Sequence, residues 1–215
     1  YSYEDFIMGF RPSATGFELK KGVFYNFCKK AEVDSDNEYF FIIDEINRGN
    51  LSKIFGELFM LIENDKRGNS LQLLYSNEKF MVPKNVYIIG MMNTADRSLA
   101  MLDYALRRRF GFIEIKPGFD SEGFKAYKSS VDNIKFDRLV ACVENLNKAI
   151  ADDEALGEGF CIGHSYFCNL NPDAVDDNAL SGIIEYELVP LLKEYWFDEP
   201  TKVRDWTANL RGAIK

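Results

Sequence analysis

The stretch "FFIIDEINRG", residues 40–49, decides the fold. Four apolar residues run straight into two adjacent acids, Asp44 and Glu45. Because no polar residue alternates with the apolar ones, the pattern predicts a strand over 39–43 with both of its faces covered by helices. Ligand chemistry in open parallel sheets lies at the carboxyl ends of the strands, so the two acids are candidate functional residues.

A second apolar strand also ends in a polar residue, which is called its polar tip. The segment "NVYIIGMMN", residues 85–93, predicts another buried strand, and it ends at Asn93. Between the two strands, an apolar stripe over 51–62 predicts a helix, which Asn50 can cap, and residues 71–82 predict a hairpin.

The chain changes character near Pro117-Gly118. The helix "LAMLDYALRRRF", capped by Ser98, and a short strand "GFIEI" over 111–115 precede this point, and mostly helical patterns follow it. The order of elements predicts an α/β core with a parallel sheet over residues 1–118 and a helical lid subdomain over residues 119–215.

Composition narrows the possible function classes. The 215 residues are 47% hydrophobic, which suffices for one sizeable core or for a core domain with a smaller appendage. The formal net charge of −8 argues against a nucleic-acid-binding surface over the whole chain. Four scattered cysteines indicate reduced thiols of a cytoplasmic protein, and no apolar run is long enough for a membrane span. Since the sequence has no initiator Met, we expect it to be part of a longer chain.

The two strand tips carry residue types that suit phosphate chemistry. An apolar strand that ends in Asp-Glu matches the Walker B pattern, in which Asp44 would hold a hydrated Mg²⁺ and Glu45 would polarise the water that attacks a γ-phosphate. Asn93 could hold the same water or the phosphate. Acids and asparagines also end strands and make turns for purely structural reasons, so each residue alone is a weak signal.

Three consecutive arginines, residues 107–109, end the predicted helix after the second strand. Cations favour helix C-termini, but three in a row exceed what the helix dipole requires. Arginines at such an edge suit an arginine finger that reaches a phosphate in a neighbouring subunit.

Two long segments, "FFIIDEINRGNLSKIFGELFMLIENDKRG" (40–68) and "VPKNVYIIGMMNTADRSLAMLDYALRRRF" (82–110), resemble the McrB family. These proteins are the GTP-hydrolysing AAA+ subunits of modified-cytosine-specific restriction systems. "YSYEDFIMGFRP" (1–12) and "GFCIGHSYF" (159–167) also look like that family. The resemblance implies an AAA+ P-loop NTPase-like fold, a hexameric ring of identical subunits, GTP with Mg²⁺, an McrC-like nuclease partner, and DNA contacted through other domains.

The resemblance also implies roles at the first strand tip and at the subunit boundary. Asp44 would be the Mg²⁺-associated acid, Glu45 the catalytic base, and Asn47 a residue that helps to arrange the active site. Asp96 and Arg97 belong to the "NTADR" signature and would lie at the subunit boundary.

The remaining roles fall on the second strand tip and beyond it. Asn93 would be the sensor-1 residue, and Arg108, with Arg109 beside it, would be the arginine finger. The hairpin at 71–82 resembles the pre-sensor-1 insertion of one AAA+ branch.

The sequence departs from the family pattern in two places. No GxxxxGK[ST] string occurs, so the AAA+ sheet is expected to be truncated, with the P-loop strand missing. We therefore expect weak GTP binding by this chain alone, and rearrangement, domain swapping or a dimer through exposed strand edges.

The lid segment "GEGFCIGHSYF" (157–167) has no arginine to serve as sensor 2. His164 could contact nucleotide there, although packing at a helix start is the favoured interpretation. Cys161, His164 and Cys168 have a metal-like spacing, but zinc would need a fourth ligand.

Two further interpretations stay open at this stage. The chain could be a non-hydrolysing assembly module that contacts neighbouring subunits or the nuclease. It could also belong to an ATP-using MoxR-like AAA+ remodeller.

Overall fold

The computed structural model describes residues 1–93, 95 and 107–215. The chain divides into two compact units, Tyr1–Phe112 and Ile113–Lys215. The sequence-based boundary between residues 118 and 119 stays a prediction.

The first unit is a mixed α/β assembly. Its described helices are α1 (Tyr3–Phe6), α2 (Val23–Val33) and α3 (Leu51–Phe55). Its described strands are β1 (Met8–Ser13), β2 (Gly16–Lys21), β3 (Tyr39–Ile43), β4 (Ser70–Gln72), β5 (Lys79–Met81) and β6 (Val86–Gly90). Short 3₁₀ segments occupy Ile46–Arg48, Gly56–Ile62 and Asn64–Lys66.

The strands form three pairs. β3 and β6 are parallel, with Phe41 opposite Ile88, and this pairing confirms the predicted parallel sheet. β1 pairs with β2, and β4 with β5, in antiparallel hairpins. The second hairpin is the one predicted over 71–82.

One face of the parallel pair is largely exposed, so the prediction of two fully buried strands is wrong. Phe40 and Ile42 of β3 are 53% and 59% exposed, and Tyr87 and Ile89 of β6 are each 44% exposed. The alternating side chains on the opposite face pack against the core: Tyr39, Phe41, Ile43 and Ile88. An uninterrupted apolar run therefore has an exposed face here, because successive side chains of a strand point to opposite sides.

The helix predicted over 51–62 ends after little more than one turn. Asn50 caps α3 as expected, since its side chain accepts a hydrogen bond from the Lys53 N–H. Gly56 then adopts φ +54° and ψ −131°, a conformation that only glycine reaches easily. A Cβ at Gly56 would lie 2.8 Å from the ring of Tyr3, so the same position also lets α1 approach closely.

The strand predicted over 111–115 is not formed. These residues have no regular secondary structure, and Ile113 and Ile115 are 91% and 93% exposed. A strand exists only where a neighbouring strand accepts its backbone hydrogen bonds, and none of the described strands pairs with this segment.

Aromatic rings dominate the core of the first unit. The rings of Phe6 and Phe24 stack with centroids 5.0 Å apart, and Phe41 and Phe55 meet the Phe24 ring edge-on at 5.0 and 5.3 Å. The cluster joins α1, α2, α3 and β3 directly beneath the parallel strands. These ring contacts hold the helices against β3, the strand that ends at the two acids.

The second unit is helical. Its described helices are α4 (Glu122–Val131), α5 (Ile134–Ala151), α6 (Asp177–Gly182), α7 (Val189–Tyr195) and α8 (Pro200–Ala213). Short 3₁₀ segments lie at Glu158–Phe160, His164–Phe167 and Pro172–Ala174. The apolar face predicted for α5 is buried as expected, from Phe136 through Val143 to Ile150.

A π-helical turn, Ile183–Leu188, joins α6 to α7. At its end the Val189 N–H donates to the Ile184 carbonyl oxygen, five residues earlier. Pro190, which lacks an N–H, follows in the first turn of α7, where helices tolerate proline. Among the described residues, no helix has both the length and the hydropathy of a membrane span.

Candidate functional site

Two backbone hydrogen bonds fasten the ends of β3 and β6 together. The Met91 N–H donates to the Ile43 carbonyl oxygen over 2.8 Å, and the Ile46 N–H donates to the Met91 carbonyl oxygen over 2.9 Å. The turn that carries the acids is thus bound to the end of the neighbouring strand. The ends of the two strands therefore lie side by side as far as Met91, and the convergence of Asp44, Glu45 and Asn93 stays a prediction.

The turn itself holds Glu45 in a left-handed conformation, with φ 50° and ψ 47°. This region costs a residue with a Cβ roughly 1–2 kcal/mol, so the surrounding contacts must impose it. One is the hydrogen bond from the Glu45 N–H to Asp44 Oδ1 (2.9 Å). Another is the burial of Ile46, which is 7% exposed and packs over Gly90. Strained backbone of this kind is often found at functional sites.

The site is rich in oxygen atoms. Asp44 is exposed, and the Glu45 carboxylate forms an ion pair with Arg48, with Oε2 3.2 Å from Nε. Among the described residues, no hydrogen bond satisfies Asn47 Oδ1, although this atom is buried. A buried oxygen in this state calls for an ion or a water molecule. Carboxylate and amide oxygens are the hard donors that Mg²⁺ and its bound waters accept, so these residues fit that cofactor.

Asn93 lies three residues beyond the end of β6 and is exposed. Its Oδ1 accepts a hydrogen bond from the Ala95 N–H (3.0 Å), which is the geometry of an asparagine that shapes its own turn. Asp96 and Arg97, the other predicted residues of the "NTADR" signature, lie outside the described residues.

The three arginines differ sharply in environment. Arg107 and Arg108 are exposed. The Arg109 side chain is only 17% exposed: its Nη2 is 2.6 Å from Glu63 Oε1, and its Cζ lies 4.3 Å from the centroid of the Phe59 ring. Arg109 is therefore held within its own unit, which the sequence did not predict.

His164 packs inside the second unit. Its Nδ1 accepts a hydrogen bond from the Gly118 N–H (2.9 Å), and its ring meets Phe119 and Phe124 at 6.2 and 5.6 Å. This is the packing role that the sequence analysis favoured; nucleotide contact by His164 stays a prediction.

The neighbouring cysteines have other partners. Cys161 Sγ lies 3.5 Å from the Asn147 carbonyl oxygen, and Cys168 Sγ 3.3 Å from that of His164. Within the described part of the chain, no three His, Cys, Asp or Glu side chains are grouped in a way that could hold a metal ion.

Sequence reasoning missed the residues that support the site. Ile46 and Gly90 fix the acidic turn, and Glu63 with Phe59 holds Arg109. The sequence carries no signal for these contacts, because Glu63 has extended backbone after the 3₁₀ segment and does not share a helical face with Phe59.

Comparison with known proteins agrees with this architecture. A family model described as "AAA domain (dynein-related subfamily)" matches residues 1–110, and one described as "McrB, alpha-helical lid domain" matches residues 138–204. The chain is 51% identical over 222 aligned residues to the "Type IV methyl-directed restriction enzyme EcoKMcrB subunit" of Escherichia coli (strain K12). That alignment covers 99% of this chain and 48% of the E. coli protein.

A more distant relative is the "Type II restriction enzyme BsuMI component YdiS" of Bacillus subtilis (strain 168). It is 28% identical over 148 residues, which cover 62% of this chain and 41% of the B. subtilis protein. The chain thus spans less than half the length of both relatives. With an AAA domain over half of its residues and an McrB lid domain after it, the chain belongs to the McrB family of AAA proteins.

Proposed function

We propose that this chain carries the water-activating half of a GTP-hydrolysing AAA+ site, and that the site works at the boundary between subunits of a ring. The observation that carries the proposal is the pair of hydrogen bonds that fasten the acidic turn to the end of β6. They support a placement of Asp44, Glu45 and Asn93 at one edge of the sheet, since Asp44 and Glu45 lie in the fastened turn and Asn93 follows two residues after Met91. A triphosphate at that edge would meet all three residues.

Each residue has a task that follows from its chemistry. Asp44, exposed at the strand end, holds the waters of a bound Mg²⁺, and Asn47 offers a further oxygen. Glu45 lies in the left-handed turn that follows the strand, and its carboxylate accepts a proton from the attacking water. Asn93 orients the same water. When bound, Mg²⁺ supplies positive charge against the phosphate oxygens.

Arg108 completes the site of the neighbouring subunit. It is exposed and carries a permanent positive charge, which is what an arginine finger requires. Asp96 and Arg97 of the signature segment would contribute at the same boundary. A hexameric ring of identical subunits supplies six such boundaries.

The names of the relatives support a place in DNA restriction. We propose that the ring acts with an McrC-like nuclease subunit, and that DNA is contacted through other domains, since this chain has a net charge of −8. All four cysteines are free thiols, which suits the reducing cytoplasm. Tight GTP binding requires a phosphate-binding loop, and the present sequence contains no GxxxxGK[ST] string.

The test uses a protein that joins this segment to a phosphate-binding loop. Glu45→Gln keeps the size and hydrogen-bonding capacity of the side chain but removes its basicity. We expect GTP affinity within about threefold of the unsubstituted protein and turnover lower by roughly 10²–10⁴-fold. Glu18→Gln, on an exposed strand of the same unit, is the matched control and leaves both quantities unchanged.

Two outcomes would contradict the proposal. Hydrolysis at an undiminished rate by the Glu45→Gln protein would remove Glu45 from its role. Absence of any GTP or ATP turnover in the unsubstituted protein would leave only the assembly module. A higher kcat/KM for ATP than for GTP would instead favour the MoxR-like remodeller.

A further inference from the structure

Two contacts of Arg109 come from one short segment of the first unit, and they form what is here called its seat. Glu63 follows the 3₁₀ segment Gly56–Ile62, and Phe59 lies within it. The guanidinium of Arg109 meets the Glu63 carboxylate at 2.6 Å and lies over the Phe59 ring at 4.3 Å. The two contacts hold the planar group by its edge and by its face. Guanidinium groups are suited to both modes of contact.

Phe59 and Glu63, the two residues of this seat, are themselves held in place. Phe59 is buried and meets Phe55 of the aromatic core, with ring centroids 6.2 Å apart. The carbonyl oxygen of Glu63 accepts hydrogen bonds from the N–H groups of Lys66 and Arg67 (3.0 and 3.1 Å). Movement of Arg109 would therefore disturb the core or break a charge-assisted hydrogen bond.

The next residue is held as well. Phe110 is partly buried and packs against the core of the first unit. Two consecutive residues, Arg109 and Phe110, are thus anchored, while Arg108 directly before them is exposed. Successive Cα atoms are only about 3.8 Å apart, so the backbone of Arg108 starts from a fixed point.

We propose that Arg109 is a positioning residue: the seat formed by Glu63 and Phe59 holds it, and this fixes where Arg108 can reach a phosphate of the neighbouring subunit. The inference rests on the proposed function and gives Arg109 a task of its own, where the sequence named it only as the neighbour of Arg108. Arg108 touches the reacting group. Arg109 acts through Arg108.

The test measures steady-state hydrolysis in a protein that joins this segment to a phosphate-binding loop. Arg108→Ala is expected to lower kcat by about 10³-fold or more, with KM nearly unchanged. Glu63→Gln and Arg109→Lys weaken the seat and are expected to lower kcat by roughly 10- to 100-fold, because a small misplacement of a catalytic group is costly. Arg204→Lys, an exposed arginine in α8, is the control and changes neither constant.

A double-mutant cycle separates positioning from general structure. If Glu63 acts through Arg108, adding Glu63→Gln to Arg108→Ala causes no further loss of kcat. An equal fractional loss with and without Arg108 would overturn the inference. Phe59→Leu, which keeps the core filled but removes the ring beneath the guanidinium, repeats the cycle if Glu63→Gln fails to fold.

Mixed rings give a second readout. Glu45→Gln subunits cannot activate water but carry normal arginines. Adding them to Glu63→Gln subunits should restore part of the turnover, because the intact Arg108 then serves the active sites of the Glu63→Gln subunits. No recovery would contradict the inference.

The two possible failures are distinguishable. Normal turnover by Arg108→Ala would remove Arg108 from the proposed function. Loss of turnover in Arg108→Ala together with normal kcat in both Glu63→Gln and Arg109→Lys would leave the proposed function standing and overturn the positioning role of Arg109.

Discussion

Ile46 occupies the space in which a side chain at Gly90 would begin. A Cβ built on Gly90 would lie 2.5 Å from Cδ1 and 3.1 Å from Cγ2 of Ile46. Because Ile46 directly follows Glu45, this contact fixes the position of the acidic turn relative to the end of β6. The glycine is needed for space rather than for an unusual φ angle.

Gly90→Ala should therefore destabilise the first unit by about 1–3 kcal/mol, the usual cost of overpacking a filled site. Ile46→Val removes the closest atom, so the double variant should lose less than the sum of the two single losses. The free energy of unfolding is measured by urea denaturation, followed by far-ultraviolet circular dichroism.

The matched control is Gly123→Ala in α4, where a new Cβ meets no atom within 4 Å. This change should stabilise the chain by about 0.4–1 kcal/mol, because alanine restricts the unfolded chain more than glycine does. Equal effects of the two glycine substitutions would show that Ile46 is not pressed against position 90.

The exposed face of the parallel pair predicts self-association of the isolated chain. The double variant Ile42→Thr, Ile89→Thr makes this face more polar and keeps β-branched residues in both strands. We expect the associated species seen by sedimentation velocity at micromolar concentrations to decrease, with little change in the unfolding midpoint.

Ile43→Thr is the control from the opposite face of β3. Because Ile43 packs against the core, this change should lower the free energy of unfolding instead. Identical sedimentation of the double variant and the unsubstituted chain would exclude the Ile42–Ile89 face as the site of association.

Much of the first unit could be predicted because its signals are local. The apolar run that ends at the acids gave β3 with its observed bounds, and the chain reversal at 71–82 gave the hairpin. The helix after Asn50 was predicted too long, because the stripe of apolar residues continues through Gly56 although the helix does not. The strand expected over 111–115 failed because pairing depends on a partner strand, which the segment itself does not specify.

Some features of the candidate site could likewise be predicted from the sequence, and others could not. That β3 and β6 end side by side follows from the rules of parallel sheets, so the sequence could propose Asp44 and Asn93 as candidates at neighbouring strand ends. The left-handed backbone of Glu45 could not, since it results from the burial of Ile46 against a distant strand. Nor could a run of three arginines show which of them Glu63 holds.

Asp153 should make the stability of the second unit depend on pH. Its carboxylate accepts hydrogen bonds from Trp196 Nε1 (2.9 Å) and Lys202 Nζ (2.8 Å), and the Lys202 contact is the main cause that lowers the pKa of Asp153 to about 2. A carboxyl with a lowered pKa stabilises the fold fully above its unfolded-state pKa, near 4. This stabilisation is lost as the pH falls from about 4 to about 2.

Asp153→Asn should cost about 1.5–3 kcal/mol at pH 7, and the difference from the unsubstituted chain should shrink towards pH 2. Both tryptophans of the chain lie in the second unit, so their fluorescence during urea denaturation reports on that unit. Asp205→Asn, at an exposed position in α8, should change the free energy by less than about 0.5 kcal/mol. A difference that does not vary with pH would rule out the charged form of Asp153 as the stabilising one.

The left-handed backbone at Glu45 predicts a conflict between stability and activity. Glu45→Gly and Glu45→Ala both remove the carboxylate, so both should abolish hydrolysis in a protein that carries a phosphate-binding loop. Only glycine relieves the strain at φ 50°, so Glu45→Gly should be more stable than Glu45→Ala by about 1 kcal/mol in urea denaturation. Asp132, which ends α4 at φ 42°, is a matched position far along the chain and should show the same preference for glycine over alanine. If glycine and alanine are equally stable at position 45 but not at position 132, the acidic turn does not hold Glu45 in the left-handed region, and its carboxylate must reach the edge of the sheet from another backbone conformation.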